Sequence, residues 1–303
     1  MKDLIIVGGA AAGTSAAIYA ARSGMDVLMV TDEYGGQINN TDVVENYLGI
    51  KSISGPDLAD KYVEHMRDYD VEEETGSKVV DIRKPGDSFE VETEDGEVFE
   101  SHSVIIATGG HRRRLDIPGE EEYRNKGVVY CAVCDGPLYQ EQDVAVVGGG
   151  YAGTEAAVYL SDIASQVYVV NIAPELSGEE ITIDQVEEAE NVEVINSAEP
   201  TEIDGEQFVE ELTYEKDGEE HELEVSGVFV EIGTVPNSDL TDLVETDDAG
   251  YIEVNEEMET GVPGLYAAGD VNTIGAQQLV VSAGQGCDAA LNASDYVKEK
   301  KSE

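Results

Sequence analysis

Residues 144–170 read VAVVGGGYAGTEAAVYLSDIASQVYVV. An apolar run ends at Gly148, and Gly148, Gly150 and Gly153 complete G-x-G-x-x-G ahead of an Ala-rich stretch of helical period and a second apolar run. Strand, tight turn and helix in that order predict a βαβ unit. Its first glycine makes the turn, the second lets backbone approach a pyrophosphate, and the third packs the helix onto the strand. Residues 4–30, LIIVGGAAAGTSAAIYAARSGMDVLMV, repeat the order. Gly8 and Gly13 are in place there, but Ala10 is the middle residue and sets a methyl group where a pyrophosphate would approach.

The repeat extends outward. Residues 78–106 carry hairpin signals at KPGD and EDGE and end in VIIATGG, while residues 192–235 carry them at IDGE and KDGE and end in VFVEIGTVPN. Two related nucleotide folds are expected. Residues 241–303 add a strand, GLYAAGD, and a helix predicted from Ser282 to Lys298, too little for a third domain. They are expected to return to the first. The predicted fold class is α/β with two Rossmann-like domains of the three-layer ββα, FAD/NAD(P)-binding type, the second inserted into the first. The expected boundaries are 1–111 with 241–303 for the first domain and 112–240 for the second.

Composition bounds the partners. Among 303 residues, 66 Asp or Glu face 17 Lys or Arg, a formal net charge of -49, yet 41% of residues are hydrophobic and fall in apolar runs that a disordered acidic chain lacks. Such a body repels nucleic acid and anionic membrane surfaces, and both are excluded as partners. Self-repulsion of this size is screened at molar salt, where the Debye length is about 3 Å, so the composition resembles that of an extreme halophile's proteins. No run of about 18 apolar residues occurs, and MKDLIIVGG leads straight into a strand without a basic leader, so a cytoplasmic protein is expected.

Cys131 and Cys134 have C-x-x-C spacing, which in a cytosolic αβ pattern reads as redox chemistry. A zinc half-site is the alternative, but there is no second cysteine pair, and His65, His102, His111 and His221 show no ligand spacing, so no metal is expected. Cys287, in AGQGCDAAL, is expected to be a buried, inert small residue. Asp32, near the end of the second strand, can accept hydrogen bonds from a ribose or be surface charge. Arg112, Arg113 and Arg114 form the dense basic cluster, read as a solvated connection between domains, with docking of an acidic partner as the sharper alternative.

In order along the chain, GGAAAG at 8–13, GGQ at 35–37, ENYLG at 45–49, ATGG at 107–110, CAVCDG at 131–136, GGGYAG at 148–153 and AAGDV at 267–271 resemble the low-molecular-weight thioredoxin reductase family of flavoproteins. The resemblance covers nearly the whole chain and implies an FAD domain interrupted by a smaller nucleotide domain, in a homodimer. Gly8, Gly13, Gly36 and, as a ribose acceptor, Asp32 are candidates for the FAD site, and the resemblance implies that Gln37 and Asn46 sit by the flavin and its phosphates and that Thr108 and Gly109 line the site. By the same resemblance, Asp270 hydrogen-bonds the ribityl chain, and Gly269 beside it is a further cofactor-binding candidate. Gln277 and Gln278 stand where the family has Arg-Gln, so the glutamine matches and the arginine does not. Cys134 is implied as the flavin-proximal thiol, Cys131 as the thiol that attacks the partner, and Asp135 as the acid or base, with a plain turn role for Asp135 as the alternative.

The function expected is therefore a flavin-dependent disulfide reductase acting on thioredoxin or a similar small protein disulfide. A dithiol oxidase using oxygen and a non-catalytic flavin-binding scaffold are the competing readings. NADPH-using members of the family follow the second Gly motif's strand with a His-Arg-Arg run that holds the 2′-phosphate. Here that strand is followed by Asn171, Ile172, Ala173 and Pro174, and no Lys or Arg occurs from Gly127 to Glu215. NADPH is thus expected to be a poor electron donor, with ferredoxin or a reduced deazaflavin as alternatives.

Overall fold

The run KDLIIVGG becomes a strand buried on both faces, with Leu4, Ile5 and Ile6 fully covered, as the centre of a parallel sheet requires. In the computed structural model, which describes residues 1–41 and 43–302, the chain forms two units, Met1–His111 with Val235–Glu303, and Arg112–Thr234.

The first unit contains β1 (Lys2–Gly9), α1 (Ala11–Arg22), β2 (Val27–Tyr34), α2 (Gly55–Met66), β3 (Val71–Thr75), β4 (Val79–Arg83), β5 (Phe89–Thr93) and β6 (Val98–Ile106). Val7 on β1 lies opposite Val30 on β2 and Ile106 on β6, both parallel. β3 continues the sheet beyond β2, and the strand Leu265–Ala267 adds to the far side of β6. β4 and β5 pair antiparallel and join the early part of β6, as KPGD and EDGE predict.

The helix predicted from Ser282 to Lys298 spans Leu279–Ser302 and packs on α1 through small residues. Ala12, Ala16, Ala17 and Ala20 share one buried cluster with Ala289, Ala290 and Ala293. Ser15 Oγ donates to the Ala283 carbonyl at 2.7 Å. A Cβ at Gly286 would run into the Ala12 carbonyl, so only glycine permits this approach.

The second unit repeats the plan. Strand Asp143–Val147 is central, with Gln166–Asn171 and Val192–Asn196 on one side and Gly227–Val230 and Val128–Val129 on the other, all parallel. Glu199–Gly205, Val209–Lys216 and Glu219–Glu224 form an antiparallel sheet. The KDGE turn places Asp217 and Gly218 in the left-handed region, at φ 57° and 80°. One strand breaks the chain order of the repeat: the fifth strand of the first sheet comes from residues 265–267, after the insertion, whereas that of the second comes from residues 128–129, ahead of its Gly motif.

The chain rejoins the first unit at Val235, ahead of the expected residue 241. The reason is Asn237, whose backbone amide donates to the Gly109 carbonyl at 2.9 Å and whose side chain is bonded to the ATGG turn. Among the described residues, no helix is long and apolar enough to cross a membrane.

Candidate functional site

In the first unit, α1 starts at Ala11 with Ala10 as its N-cap, no side chain bonded to its leading amides and no acid in its first turn. A helix start left open in this way suits a phosphate, which takes the unpaired N–H groups and the positive end of the dipole. Gly8 has φ +109°, and a Cβ there would collide with the Ala107 carbonyl, while one at Gly13 would collide with the Gly8 carbonyl. Ala10 has φ −95° and ψ −160°, close to the −86° and −169° of Gly150 in the second copy. Extended backbone accepts alanine, and the Ala10 methyl faces Gly36, which has no side chain to meet it.

Several of the expected FAD residues converge on this turn. Gly35 N donates to the Gly9 carbonyl at 3.1 Å, bringing in the GGQ loop. Gln37 Nε2 donates to the Gly110 carbonyl at 3.0 Å. Thr108 Oγ1 donates to the Asn237 carbonyl at 2.7 Å, and Asn237 Nδ2 donates back to the Thr108 carbonyl at 2.9 Å, which fixes Thr108 and Gly109. A Cβ at Gly269 would sit 3.0 Å from the Ala12 methyl, so the AAGDV loop lies against the start of α1. Ser282 Oγ donates to Asp270 Oδ1 at 3.0 Å. Asn46 Nδ2 donates to Gln278 Oε1 at 3.3 Å, bringing ENYLG to the start of the helix Leu279–Ser302. Gln277 Nε2 donates instead to the Tyr251 hydroxyl at 3.0 Å.

Asp32 is exposed at the end of β2, lies 3.6 Å from Lys78 and accepts the Glu33 amide, while Tyr34 and Thr31 lie against the turn at Gly9.

In the second unit the C-x-x-C pair is a disulfide with Cα atoms 5.3 Å apart. It opens a short helix, Ala132–Asp135, in which Cys134 N donates to Cys131 Sγ at 3.2 Å. Cys134 is exposed and Cys131 half-buried, with Val133 and Leu138 exposed beside them. The turn follows strand Val128–Val129 directly, so it lies at the carboxyl end of a parallel sheet, where ligand sites of such sheets form. Half-buried Asp135 acts on Tyr139: burial first, and then the Asp135 charge, pushes that phenol up to about 12.

The Gly148–Gly153 turn keeps the geometry of the first copy. Gly148 has φ +125°, a Cβ there would meet the Glu231 carbonyl, and Gly150 precedes the helix Tyr151–Ser161 without a side-chain cap. The following loop folds back onto it, with Ser177 N donating to the Gly149 carbonyl at 2.7 Å. Asn171 is buried, and its amide is engaged: Nδ2 donates to the Glu175 carbonyl and to Asn196 Oδ1, while Oδ1 accepts from Ala173 N. Of the three arginines, Arg114 pairs with Glu121 at 2.8 Å, and Arg112 acts on the buried carboxyl of Glu231. The cluster is therefore partly used in structure rather than wholly solvated.

Cys287 is half-buried rather than buried, because its neighbour is the exposed Tyr19, to whose hydroxyl it is hydrogen-bonded. Burial pushes its thiol up, which leaves it a poor nucleophile.

Three residues have roles that motif reading missed. Asn237 locks ATGG; Gln285 Oε1 accepts from Gly269 N and Asn272 Nδ2; and Glu231 Oε1 accepts the Ala132 amide at the C-x-x-C turn. The repeat held a signal for Glu231, since VFVEIGT aligns with VIIATGG and sets an acid where the first copy has Ala107.

A family model described as pyridine nucleotide-disulphide oxidoreductase matches residues 2–286. The chain belongs to that family. Members of this family related to thioredoxin reductase bind FAD, and FAD is the cofactor of this chain, a flavoprotein oxidoreductase of the thioredoxin-reductase type. The chain is 43% identical over 298 residues to an alkyl hydroperoxide reductase component of Staphylococcus aureus (strain NCTC 8325 / PS 47), covering 97% of this chain and 59% of that protein. It thus spans about three-fifths of the length of that curated relative. Thioredoxin reductase from Streptococcus pyogenes MGAS5005 is similar with a TM-score of 0.92 and 38% identity, covering 99% of each chain. A ferredoxin-flavin thioredoxin reductase from Clostridium acetobutylicum is similar with a TM-score of 0.56 and 31% identity, covering 100% of this chain and 99% of that one. The open start of α1, with no side chain capping it and no acid in its first turn, fits the pyrophosphate of the cofactor.

Proposed function

We propose that this chain is a disulfide reductase that passes electrons through Cys131 and Cys134 to thioredoxin or a similar small protein disulfide, with NADPH a poor donor. The observation that carries the reading is the Cys131–Cys134 disulfide in an intact CAVCDG turn, exposed at Cys134. A scaffold that merely retained its fold needs no exchange-competent pair. Gly8, Gly13, Gly36, Thr108, Gly109 and Gly269 would hold the cofactor's phosphates and ribose, with Asp270 at the ribityl chain and Gln37, Asn46 and Gln278 toward the ring. Asp32, at the end of β2, would accept hydrogen bonds from the ribose, and Gln277 stands beside Gln278 near the flavin.

When bound, the flavin supplies a two-electron couple. Cys131 and Cys134 take the electron pair as their S–S bond breaks, and Asp135 handles a proton as thiol and thiolate form. The Cys131 thiolate then attacks the partner's disulfide, forming a mixed disulfide that Cys134 resolves. Cys134→Ser should therefore trap the partner on Cys131. A trap formed by Cys131→Ser instead would reverse the two roles.

The donor reading rests on charge and on Asn171. No Lys or Arg in Gly127–Glu215 can neutralise a 2′-phosphate, and Asn171, at the end of the strand after the second Gly motif where an acid would hold a nicotinamide cofactor's ribose, is engaged by Glu175, Asn196 and Ala173. The Clostridium acetobutylicum relative is named for ferredoxin, and we carry that donor class to this chain, with reduced deazaflavin as its alternative. The charge of -49 supports a cytoplasm of molar salt, and the reading includes a homodimer. The test is anaerobic at high salt. Flavin reduced with dithionite should be reoxidised by oxidised thioredoxin without oxygen, and a demand for oxygen would instead favour the dithiol oxidase. Rapid bleaching of the oxidised protein by micromolar NADPH would overturn the donor reading.

A further inference from the structure

Glu231 follows strand Gly227–Val230 and is 8% exposed. The repeat shows that the fold does not need an acid there. Ala107 holds the equivalent place in the first unit: its amide donates to the Val7 carbonyl at 2.8 Å and its carbonyl abuts Gly8, while the Glu231 amide donates to the Val147 carbonyl at 2.8 Å and its carbonyl abuts Gly148. The same backbone position carries a methyl group in one copy and a carboxylate in the other. What differs is the neighbour. Only in the second unit does this position face a C-x-x-C turn, and Glu231 Oε1 accepts the N–H of Ala132, the residue joined to Cys131, at 3.2 Å.

We propose that Glu231 is the proton-holding positioning residue of the redox pair: bonded to the first amide of the C-x-x-C turn, it takes up a proton when the Cys131–Cys134 disulfide opens and releases it when the disulfide re-forms. This rests on the reading of the pair as redox-active. Opening breaks the Sγ–Sγ bond with two electrons, from a reduced flavin in the proposed reaction or from dithiothreitol in the test below, whose own disulfide forms. One sulfur takes a proton, the other stays a thiolate, and a second proton from solvent goes to the Glu231 carboxylate. Two electrons and two protons enter, so the charge of the site is unchanged.

The charged groups facing Glu231 set its starting point. Burial weakens its ionised form most, Arg112 and the Ala132 amide favour that form, and Glu155 on the helix Tyr151–Ser161 opposes it. The carboxyl is pushed up to about 7 beside an intact disulfide, so a new thiolate on the same turn acts on a group already close to taking a proton. Asp135, on the turn itself, acts on Tyr139.

The experiment uses the full-length FAD-loaded protein in molar potassium chloride, reduced with dithiothreitol, desalted anaerobically and alkylated with iodoacetamide between pH 5.5 and 9. Cys131 and Cys134 are read separately by mass spectrometry. Glu231→Gln keeps an acceptor for Ala132 and removes the charge; Glu231→Leu removes both. The proposal expects Glu231→Gln to raise the alkylation rate of the more reactive thiol about tenfold near neutral pH, moving its midpoint down by about one unit. An unchanged midpoint in Glu231→Gln, whether or not Glu231→Leu shifts, would leave Glu231 a structural anchor and overturn the proposal. Should the variants not fold, the infrared difference spectrum of the wild-type protein decides. Reduction at neutral pH should add a protonated carboxyl band, and its absence overturns the proposal. Neither readout needs a protein partner, so a failure here is separable from failure of reduced flavin to be reoxidised by thioredoxin.

Discussion

Gln285 holds Gly269 in place: its side-chain oxygen accepts the glycine's backbone N–H at 2.7 Å while also accepting Asn272 Nδ2 at 2.9 Å. Its Nε2 donates to the Ile274 carbonyl, so one buried side chain on the helix Leu279–Ser302 satisfies three groups of the AAGDV loop and its continuation. Gln285→Leu, similar in volume, leaves those groups without their partner, at about 1–3 kcal/mol for each that stays dry. The expected outcome is loss of bound FAD on desalting and a lower thermal midpoint, checked by the flavin-to-protein absorbance ratio and by calorimetry.

The two copies of the Gly turn predict unequal tolerance along one motif. Gly150→Ala should cost about 1 kcal/mol or less, because the backbone there matches that of Ala10 and the nearest atoms to a new Cβ are 3.8 Å away. Gly148→Ala meets both a positive φ and the Glu231 carbonyl, and more than about 3 kcal/mol is expected. Urea denaturation of both variants in molar salt checks the ranking.

These glycines also mark what could be read from the sequence. The βαβ repeats, the insertion and the C-x-x-C turn were legible because each rests on local chemistry: apolar runs, turn residues and spacing. Asn237 and Gln285 were not, since their roles depend on segments more than a hundred residues apart or on a loop folding back onto a helix. The return at Val235 escaped notice because TVPN carries no composition change to mark it.

Glu231 gives a pH dependence of stability with a definite sign. Its folded value of about 7 lies above the usual carboxyl range, so between about 4.5 and 7 the folded protein binds more protons than the unfolded chain and stability falls as pH rises. The total is of order 3 kcal/mol for a shift of this size. Oxidised Glu231→Gln should match wild type at pH 4.5 and exceed it at pH 8, as measured by denaturation midpoints at both values in molar salt. Equal differences at both pH values would count against a raised Glu231.

Charge predicts the response to salt. With 66 acids against 17 cations, stability should rise steeply as potassium chloride is raised from tens of millimolar to molar, where screening shrinks to about 3 Å. Ion pairs do not offset the imbalance, because those at the surface, such as Arg83 with Asp81, Glu90 and Glu92, contribute little each. Thermal midpoints that stay level across that range would contradict a halophilic design.

The different origins of the fifth strand order the events of synthesis. Residues 112–234 are contiguous and contain every strand of their own sheet, so that unit can close soon after it leaves the ribosome. The first sheet waits for Leu265–Ala267 and for the helix that covers α1. At about 5–20 residues per second the nascent chain therefore carries an unfinished sheet edge along β6 for on the order of 10–30 s after residue 112 is made. During that interval an aggregation-prone surface is exposed on the earlier part of the chain while the later part is already folded.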